Sequence, residues 1–131
     1  MRIAAAYLAS LVFFVIVDIA WLGFLAKDFY RSSIGHLMGA GFNIPAAVAF
    51  YLVYVTGVLF FAVNPALSDG DVVKAGLLGL AFGFFAYATY DLTNLATLRD
   101  WPLSIALADI AWGTILTGAT AAFGYAVATR F

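Results

Sequence analysis

The sequence contains no cysteine and no glutamate, a single histidine, and few charged residues of either sign. The absence of cysteine excludes disulfides, thiolate metal sites and thiol redox chemistry. One histidine cannot form a histidine cluster. No metal site and no cofactor are expected. A net charge of −1 argues against binding to nucleic acid or to a strongly acidic lipid surface.

Apolar residues dominate what is present. Of the 131 residues, 66% are hydrophobic and 10% are charged, and the mean hydropathy is +1.05. Soluble domains are about half apolar and about a quarter charged. A soluble domain of this length could not bury so much apolar surface, so lipid must be the solvent for most of the chain.

Four apolar segments, separated by three polar connections, are long enough to span a bilayer. Each has the roughly 20 residues that a spanning helix needs. Backbone groups must be satisfied within each segment in lipid, and no alternating strand pattern occurs, which favours helices over barrel strands. The sequence therefore predicts an all-α polytopic membrane protein, a four-transmembrane-helix bundle formed by one domain over residues 1–131. The predicted segments are Ile3–Ala26, Ile44–Val63, Ala75–Leu98 and Pro102–Thr129.

Three aspartates, Asp18, Asp91 and Asp109, interrupt these segments, and no Lys or Arg accompanies them. An ionisable group in hydrocarbon costs at least about 2.5–3.5 kcal/mol, so each marks a candidate functional site. Each lies eight or nine residues from a charged connection, or roughly 12–14 Å along a helix. The count predicts one polar layer just short of the bilayer middle, with Tyr51 and Tyr54 of the second segment at the same depth.

Helical spacing predicts how this layer is built. Tyr87, Asp91 and Asn94 fall on one face of the third segment. We expect Asp91 to be the principal carboxylate, held by Tyr87 and Asn94 and approached by Tyr51 and Tyr54. Asp18 and Asp109 would modulate its protonation. The predicted proton- or solute-binding cavity contains Asp18, Asp91, Asp109 and Asn94, and its walls are Trp21, Trp112, Tyr51, Tyr54 and Tyr87.

A packing role is the alternative for each of these residues. A membrane carboxylate can act as a hydrogen-bonding link between helices, worth about 0.6 kcal/mol. Trp112 is expected to point away from the charged face and to fill the core. Phe29, Tyr30 and Trp101 are expected to be anchors at the membrane interface, where aromatic residues are enriched.

Small residues and an internal similarity bear on assembly. Gly79 and Gly83 of the third segment predict a close helix contact, within the bundle or between two copies in a homodimer. Residues 18–25 resemble residues 91–98, and both stretches run into a basic residue, an aspartate and an aromatic residue. This pattern is typical of a duplicated helical hairpin in parallel orientation.

The orientation is not fixed by the basic residues. Four spans place both termini on one side. Three basic residues lie on each side of the membrane: Arg2, Lys74 and Arg130 on the terminal side, and Lys27, Arg31 and Arg99 on the other. Because these numbers are equal, the positive-inside rule does not decide the orientation. Arg2 beside the first helix favours cytoplasmic termini.

Several motifs resemble one protein family along nearly the whole chain. They are Asp18-Ile-Ala-Trp-Leu-Gly, Phe29-Tyr-Arg, Phe50-Tyr-Leu-Val-Tyr, Phe61-Ala-Val-Asn-Pro-Ala-Leu, Ala86-Tyr-Ala-Thr-Tyr-Asp-Leu-Thr-Asn, Trp101-Pro and Asp109-Ile-Ala-Trp-Gly. Together they are similar to a small bacterial family of predicted four-helix membrane proteins, domain of unknown function 2177. The resemblance implies a four-helix fold, and it implies that the chain is a multi-pass protein of the bacterial inner membrane. It implies no activity.

Three functional hypotheses fit the pattern. The first is proton-linked binding or transport of a small cationic or neutral solute, because clustered carboxylates in low dielectric cannot all ionise. The second is a structural or accessory membrane subunit whose polar layer fixes helix register. The third is an enzyme that uses aspartate acid–base chemistry on a lipid or isoprenoid. Membrane lipids and an unidentified small molecule are the expected partners.

Overall fold

The computed structural model describes residues 1–39 and 41–131 and confirms the predicted four-helix membrane bundle. The first span is α1 (Arg2–Ala20), which continues through a π-helical turn to Leu25. A short helix, α2 (Lys27–Ile34), follows it. The second span combines α3 (Ile44–Val58), a π-helical turn (Leu59–Val63) and α4 (Asn64–Asp69). The third and fourth spans are α5 (Val72–Thr97) and α6 (Leu103–Ala128).

The outer surface of the bundle is apolar. Large side chains such as Ile16, Phe85 and Ile115 are more than half exposed, and the four spans have mean hydropathies between 1.4 and 2.4. Exposed apolar area of this extent is stable only against hydrocarbon. The chain is therefore a membrane-embedded helical protein.

The second span is six residues longer than the sequence predicts. Residues 64–71 have the composition of a turn, but the helix continues to Asp69. Pro65 lies in the first turn of α4, where a missing N–H costs little, and the preceding π-helical turn accommodates the change of register. The next helix begins at Val72 because the Asp71 carboxylate accepts a hydrogen bond from the Lys74 backbone N–H at 2.9 Å.

The first connection is partly helical. It contains α2 and a 3₁₀ turn over Gly35–Leu37 that includes the single histidine. Ala26, Tyr30 and Ile105 form a small buried cluster, against which Trp21, Ile34 and Trp101 pack. The connection therefore folds back onto the bundle and covers its end.

Glycines allow α5 and α6 to pack backbone against backbone. A Cβ added at Gly79 would lie 2.8 Å from the Thr117 carbonyl oxygen, and one at Gly83 would lie 2.6 Å from the Gly113 carbonyl oxygen. These contacts lie within one chain, so the predicted close approach is confirmed inside the bundle. The homodimer gains no support from these two glycines and stays a prediction.

The first and second spans pack against α5 and α6 over only part of their length. The first span packs against α6 and α3, and α5 meets the second span mainly at Leu59–Val63. Tyr54 and Gly57 still reach the Phe82 ring on α5. Nearer Ile44 the second and third spans diverge. This divergence leaves room for the cavity described below.

The topology makes a labelling prediction. Ser32 in α2 and Ser68 in α4 are both exposed and lie at opposite ends of the bundle. In a chain without native cysteine, Ser32→Cys and Ser68→Cys should react with an impermeant maleimide from opposite sides of the membrane. Reaction of both from one side would contradict the four-span arrangement.

Gly83→Leu should disrupt the bundle. Its side chain would meet the α6 backbone, which cannot move aside without separating the helices, so a loss of about 3 kcal/mol or more is expected. Gly76→Leu is the matched control, because a Cβ at Gly76 has no heavy atom within 4 Å. Thermal unfolding in detergent measures the stability of both variants. Equal midpoints would contradict the close α5–α6 contact.

Candidate functional site

A cavity of about 480 Å³ lies at the end of the bundle that carries α2 and the connection from α5 to α6. Aromatic rings and aliphatic side chains form most of its wall, and two carboxylates enter it. No Lys, Arg or His contributes to its lining in residues 1–39 and 41–131. The lining residues are Asp18, Leu22, Tyr30, Ile34, Met38, Phe50, Tyr54, Ala86, Tyr87, Tyr90, Trp101, Ile105 and Asp109.

Asp18 has a hydrogen-bond donor for each of its carboxylate oxygens. Tyr51 Oη donates to Oδ2 at 2.9 Å, and Trp112 Nε1 donates to Oδ1 at 3.2 Å. These bonds connect α1 to α3 and to α6. The expectation that Trp112 points away from the charged residues is wrong, because its indole lies flat on Trp21 at 4.3 Å and its N–H faces Asp18.

Asp109 is held by a residue from outside the spans. Tyr30 Oη donates to Asp109 Oδ1 at 2.8 Å and accepts from Trp21 Nε1 at 3.3 Å. The expectation that Tyr30 is an interfacial anchor is therefore wrong, since its side chain is 6% exposed and points into the bundle. The sequence gives no periodic signal for this contact, because 79 residues separate the partners.

Tyr30 remains protonated in this setting. Burial raises the pKa of its hydroxyl above the ordinary value, and the neighbouring Asp109 carboxylate acts in the same direction. The hydroxyl is thus available as a donor to Asp109 over the physiological range.

Asp91 has the least solvent-exposed side chain of the three aspartates. Its side chain is 0% exposed, and neither oxygen has a hydrogen-bond partner in the part of the chain that the structure describes. Asp109 is its polar neighbour, close enough for one carboxyl group to donate to the other when a proton is present. Asp91 does not line the cavity, although its neighbour Asp109 does, so the predicted placement of Asp91 inside the cavity is not observed.

The tyrosines predicted to hold or approach Asp91 have other neighbours. Tyr51 bonds to Asp18, and the Tyr54 hydroxyl lies 2.7 Å from Thr117 Oγ1. Tyr87 lines the cavity, with its ring against the α6 backbone where Gly113 leaves space: a Cβ there would be 2.1 Å from Tyr87 Cγ. The hydroxyls of Tyr51 and Tyr54, expected to approach Asp91, are therefore bonded to other side chains.

Asn94 stands apart from the cavity. It lies on α5 one turn beyond Tyr90, is half-buried, and does not line the space. Trp21, Trp112 and Tyr51 are also absent from the lining and form a second layer that holds Asp18 and Tyr30. Of the predicted walls, Tyr54 and Tyr87 face the cavity directly.

Besides Tyr30, the predicted walls omit three aromatic residues that line the cavity, among them Phe50 and Tyr90. Both could have been found from helical spacing, because Phe50 precedes Tyr54 by four residues and Tyr90 follows Tyr87 by three. Trp101 was also missed as a wall. Asp100 adopts a φ of 65°, a left-handed conformation that aspartate tolerates better than most residues, and the following Trp101 ring packs edge-on to Tyr90 at 5.9 Å.

The arrangement suits electrostatic and hydrogen-bonding recognition. Among the described residues no group of three His, Asp, Glu or Cys side chains is placed to hold a metal ion. Asp18 and Asp109 offer acceptor oxygens inside an aromatic enclosure. The Asp91 carboxyl group adjoins Asp109, so a third carboxyl group lies next to the cavity.

The fold and this site define a polytopic helical membrane protein with a carboxylate-containing cavity. The sequence profile of the family described as predicted membrane protein (DUF2177) matches residues 3–126. The chain belongs to that family, as its motifs indicate. No curated protein and no solved structure matches the chain.

The hydrogen bond from Tyr51 to Asp18 should contribute measurably to stability. Tyr51→Phe keeps the ring but leaves Asp18 Oδ2 without its donor, so the free energy of unfolding should fall by about 1–2 kcal/mol. Tyr125→Phe is the control, because its hydroxyl makes only a 3.5 Å contact at the surface. Unfolding in detergent measures both variants. An equal effect would show that the bond to Asp18 adds nothing.

Proposed function

We propose that the protein binds a small organic cation in the Asp18–Asp109 cavity and couples this binding to a proton held by Asp91 and Asp109. One observation carries the proposal. Two carboxylates line an aromatic cavity without a basic residue among its described walls. A third carboxyl group, fully buried and without a hydrogen-bond donor in residues 1–39 and 41–131, adjoins one of them.

The proton follows from electrostatics. Two adjoining carboxylates in an apolar surrounding repel strongly, and a single shared proton relieves the repulsion. Besides each other, the groups that face the pair are Asp18 on α1, Tyr30 on α2, and Tyr87 and Tyr90 on α5. None of these is cationic. A cation that enters the cavity would supply the missing positive charge and displace the proton.

The walls favour an organic cation over a hydrated metal ion. Tyrosine, phenylalanine and tryptophan faces attract alkylammonium groups, with estimates from about 0.5 to 2 kcal/mol for each contact. Phe50, Tyr54, Tyr87, Tyr90 and Trp101 surround the space beside the carboxylates. A desolvated organic cation therefore finds both charge and π-electron density there.

The bacterial inner membrane is the proposed location. Helical bundles serve inner membranes, whereas bacterial outer membranes hold closed barrels, and all four spans are helical. Membrane lipids are then the immediate neighbours of the exposed apolar surface. Exchange of a cation for a proton at a single cavity is also the elementary step that a transporter would need.

An accessory role is the second candidate, and the geometry of Asp18 favours it. Tyr51 and Trp112 satisfy this carboxylate and connect three spans through it. A protein that needed its aspartates only for helix register would look like this around Asp18. The unpartnered Asp91 does not fit that role, so substitution at Asp91 separates the two candidates.

The test measures proton release when a cation binds. The purified protein in lipid nanodiscs is titrated with alkyltrimethylammonium ions from the tetramethyl to the dodecyl compound, in weak buffer with a pH dye. Wild type should release about one proton for each cation bound. Asp91→Asn should fold with an unchanged melting profile and release none.

Asp28→Asn is the matched control, because Asp28 is exposed on α2 and should leave proton release unchanged. If no ion of the series releases a proton from wild type, the proposed coupling is wrong. Equal release from wild type and Asp91→Asn would assign Asp91 to the structural role.

A further inference from the structure

We infer that the ligand is a single-chain amphiphile with a cationic head, and that it enters the cavity sideways from the bilayer between α3 and α5. This inference rests on the proposed function, since it names the class of cation that the same cavity takes. Three features of the cavity carry it: a closed end toward water, an open apolar side, and carboxylates at the inner end.

The end toward water is closed by α2. Tyr30 and Ile34 lie over the cavity and pack with Trp101 and Ile105 in the small buried cluster. Ile105 is buried to 1% exposure, and the Tyr30 hydroxyl is bonded to Asp109. A solute from the aqueous phase would have to break this hydrogen bond and displace the helix.

The side toward lipid is open. The α5 backbone approaches the second span at Leu59–Val63, not near the start of α3. Phe50 on α3 and Tyr90 on α5 both line the cavity, and both remain substantially exposed, at 44% and 56%. Met38 above them is exposed as well. This rim is apolar and aromatic, and hydrocarbon can pass it without desolvation of a charged group.

The inner end selects the head. Asp18 and Asp109 provide acceptor oxygens, and none of the described lining residues can neutralise a phosphate, sulfate or carboxylate. An anionic head would meet like charges in low dielectric. A trimethylammonium or similar head would instead sit against the carboxylates and the rings.

The dimensions agree with this assignment. A volume of about 480 Å³ lies within the range of small-molecule sites, about 300–1,000 Å³. It accommodates a head and the first part of an alkyl chain, and the rest of the chain can leave between Phe50 and Tyr90 into the bilayer. A molecule without a chain would leave the apolar rim unfilled.

The experiment uses tryptophan fluorescence, because all three tryptophans of the chain lie in or beside the cavity. The protein in phosphatidylcholine nanodiscs is titrated with a dodecyltrimethylammonium ion brominated near its head, which quenches nearby indoles. Quenching of wild type should saturate with the mole fraction of probe in lipid. Unlabelled dodecyltrimethylammonium should reverse it, whereas tetramethylammonium and dodecyl sulfate should not.

Two pairs of variants locate the site and the entrance. Asp109→Asn should weaken saturable quenching at least tenfold, and Asp28→Asn should not change it. Ala86→Phe fills the cavity wall between α3 and α5 and should also weaken it at least tenfold. Ala81→Phe adds the same ring to the exposed face of α5 away from the cavity, and its quenching should stay within twofold of wild type. If Asp109→Asn does not fold, the comparison of Ala86→Phe with Ala81→Phe still tests whether the probe binds in the cavity.

The outcomes separate this inference from the proposed function. If tetramethylammonium competes as well as the dodecyl compound and still releases a proton that depends on Asp91, the amphiphile is overturned and the proposed function stands. Competition by dodecyl sulfate, or equal quenching of Ala86→Phe and Ala81→Phe, overturns the amphiphile at this cavity. Absence of saturable quenching together with absence of proton release overturns both.

Discussion

The backbone contact between α5 and α6 is the constraint on which the site depends. Glycine at positions 79 and 83 lets the two helices touch through carbonyl oxygens and small side chains, and Gly113 extends the contact by admitting the Tyr87 ring. Because the helices stay close along this length, Asp91 on one and Asp109 on the other come to adjoin. Without close packing, each carboxyl group would face lipid or a separate partner.

The three carboxyl groups differ in how far their hydrogen-bonding needs are met. Asp18 receives two donors, Asp109 receives one from Tyr30, and Asp91 receives none from the described residues. Buried polar groups without partners cost free energy. This cost therefore falls mainly on the Asp91–Asp109 pair. Asp18 links three spans through its two bonds and also lines the cavity, whereas fewer donors reach the Asp91–Asp109 pair.

Sequence patterns predicted the four spans, because hydropathy and helix length depend only on local structure. They failed where long-range contacts decide. The Tyr30 hydroxyl reaches Asp109 through the fold of α2, and the Trp112 indole turns toward Asp18 because it stacks on Trp21. The position of Asp91 beside Asp109 and outside the cavity lining depends on the rotation of α5 against α6, which a helical wheel of one segment cannot supply.

The separation of Asp18 from its partners along the chain has a consequence for biogenesis. Tyr51 and Trp112 follow Asp18 by 33 and 94 residues, so the ribosome delivers this aspartate to the membrane before either donor exists. Its span must enter the bilayer on hydropathy alone, and it has the highest value of the four, 2.4. The later spans decline in order of synthesis, 2.2, 1.6 and 1.4. The last of them, which carries Asp109, arrives when the earlier helices already offer it polar contacts, so the least apolar span is the one that can rely most on partners already in the membrane.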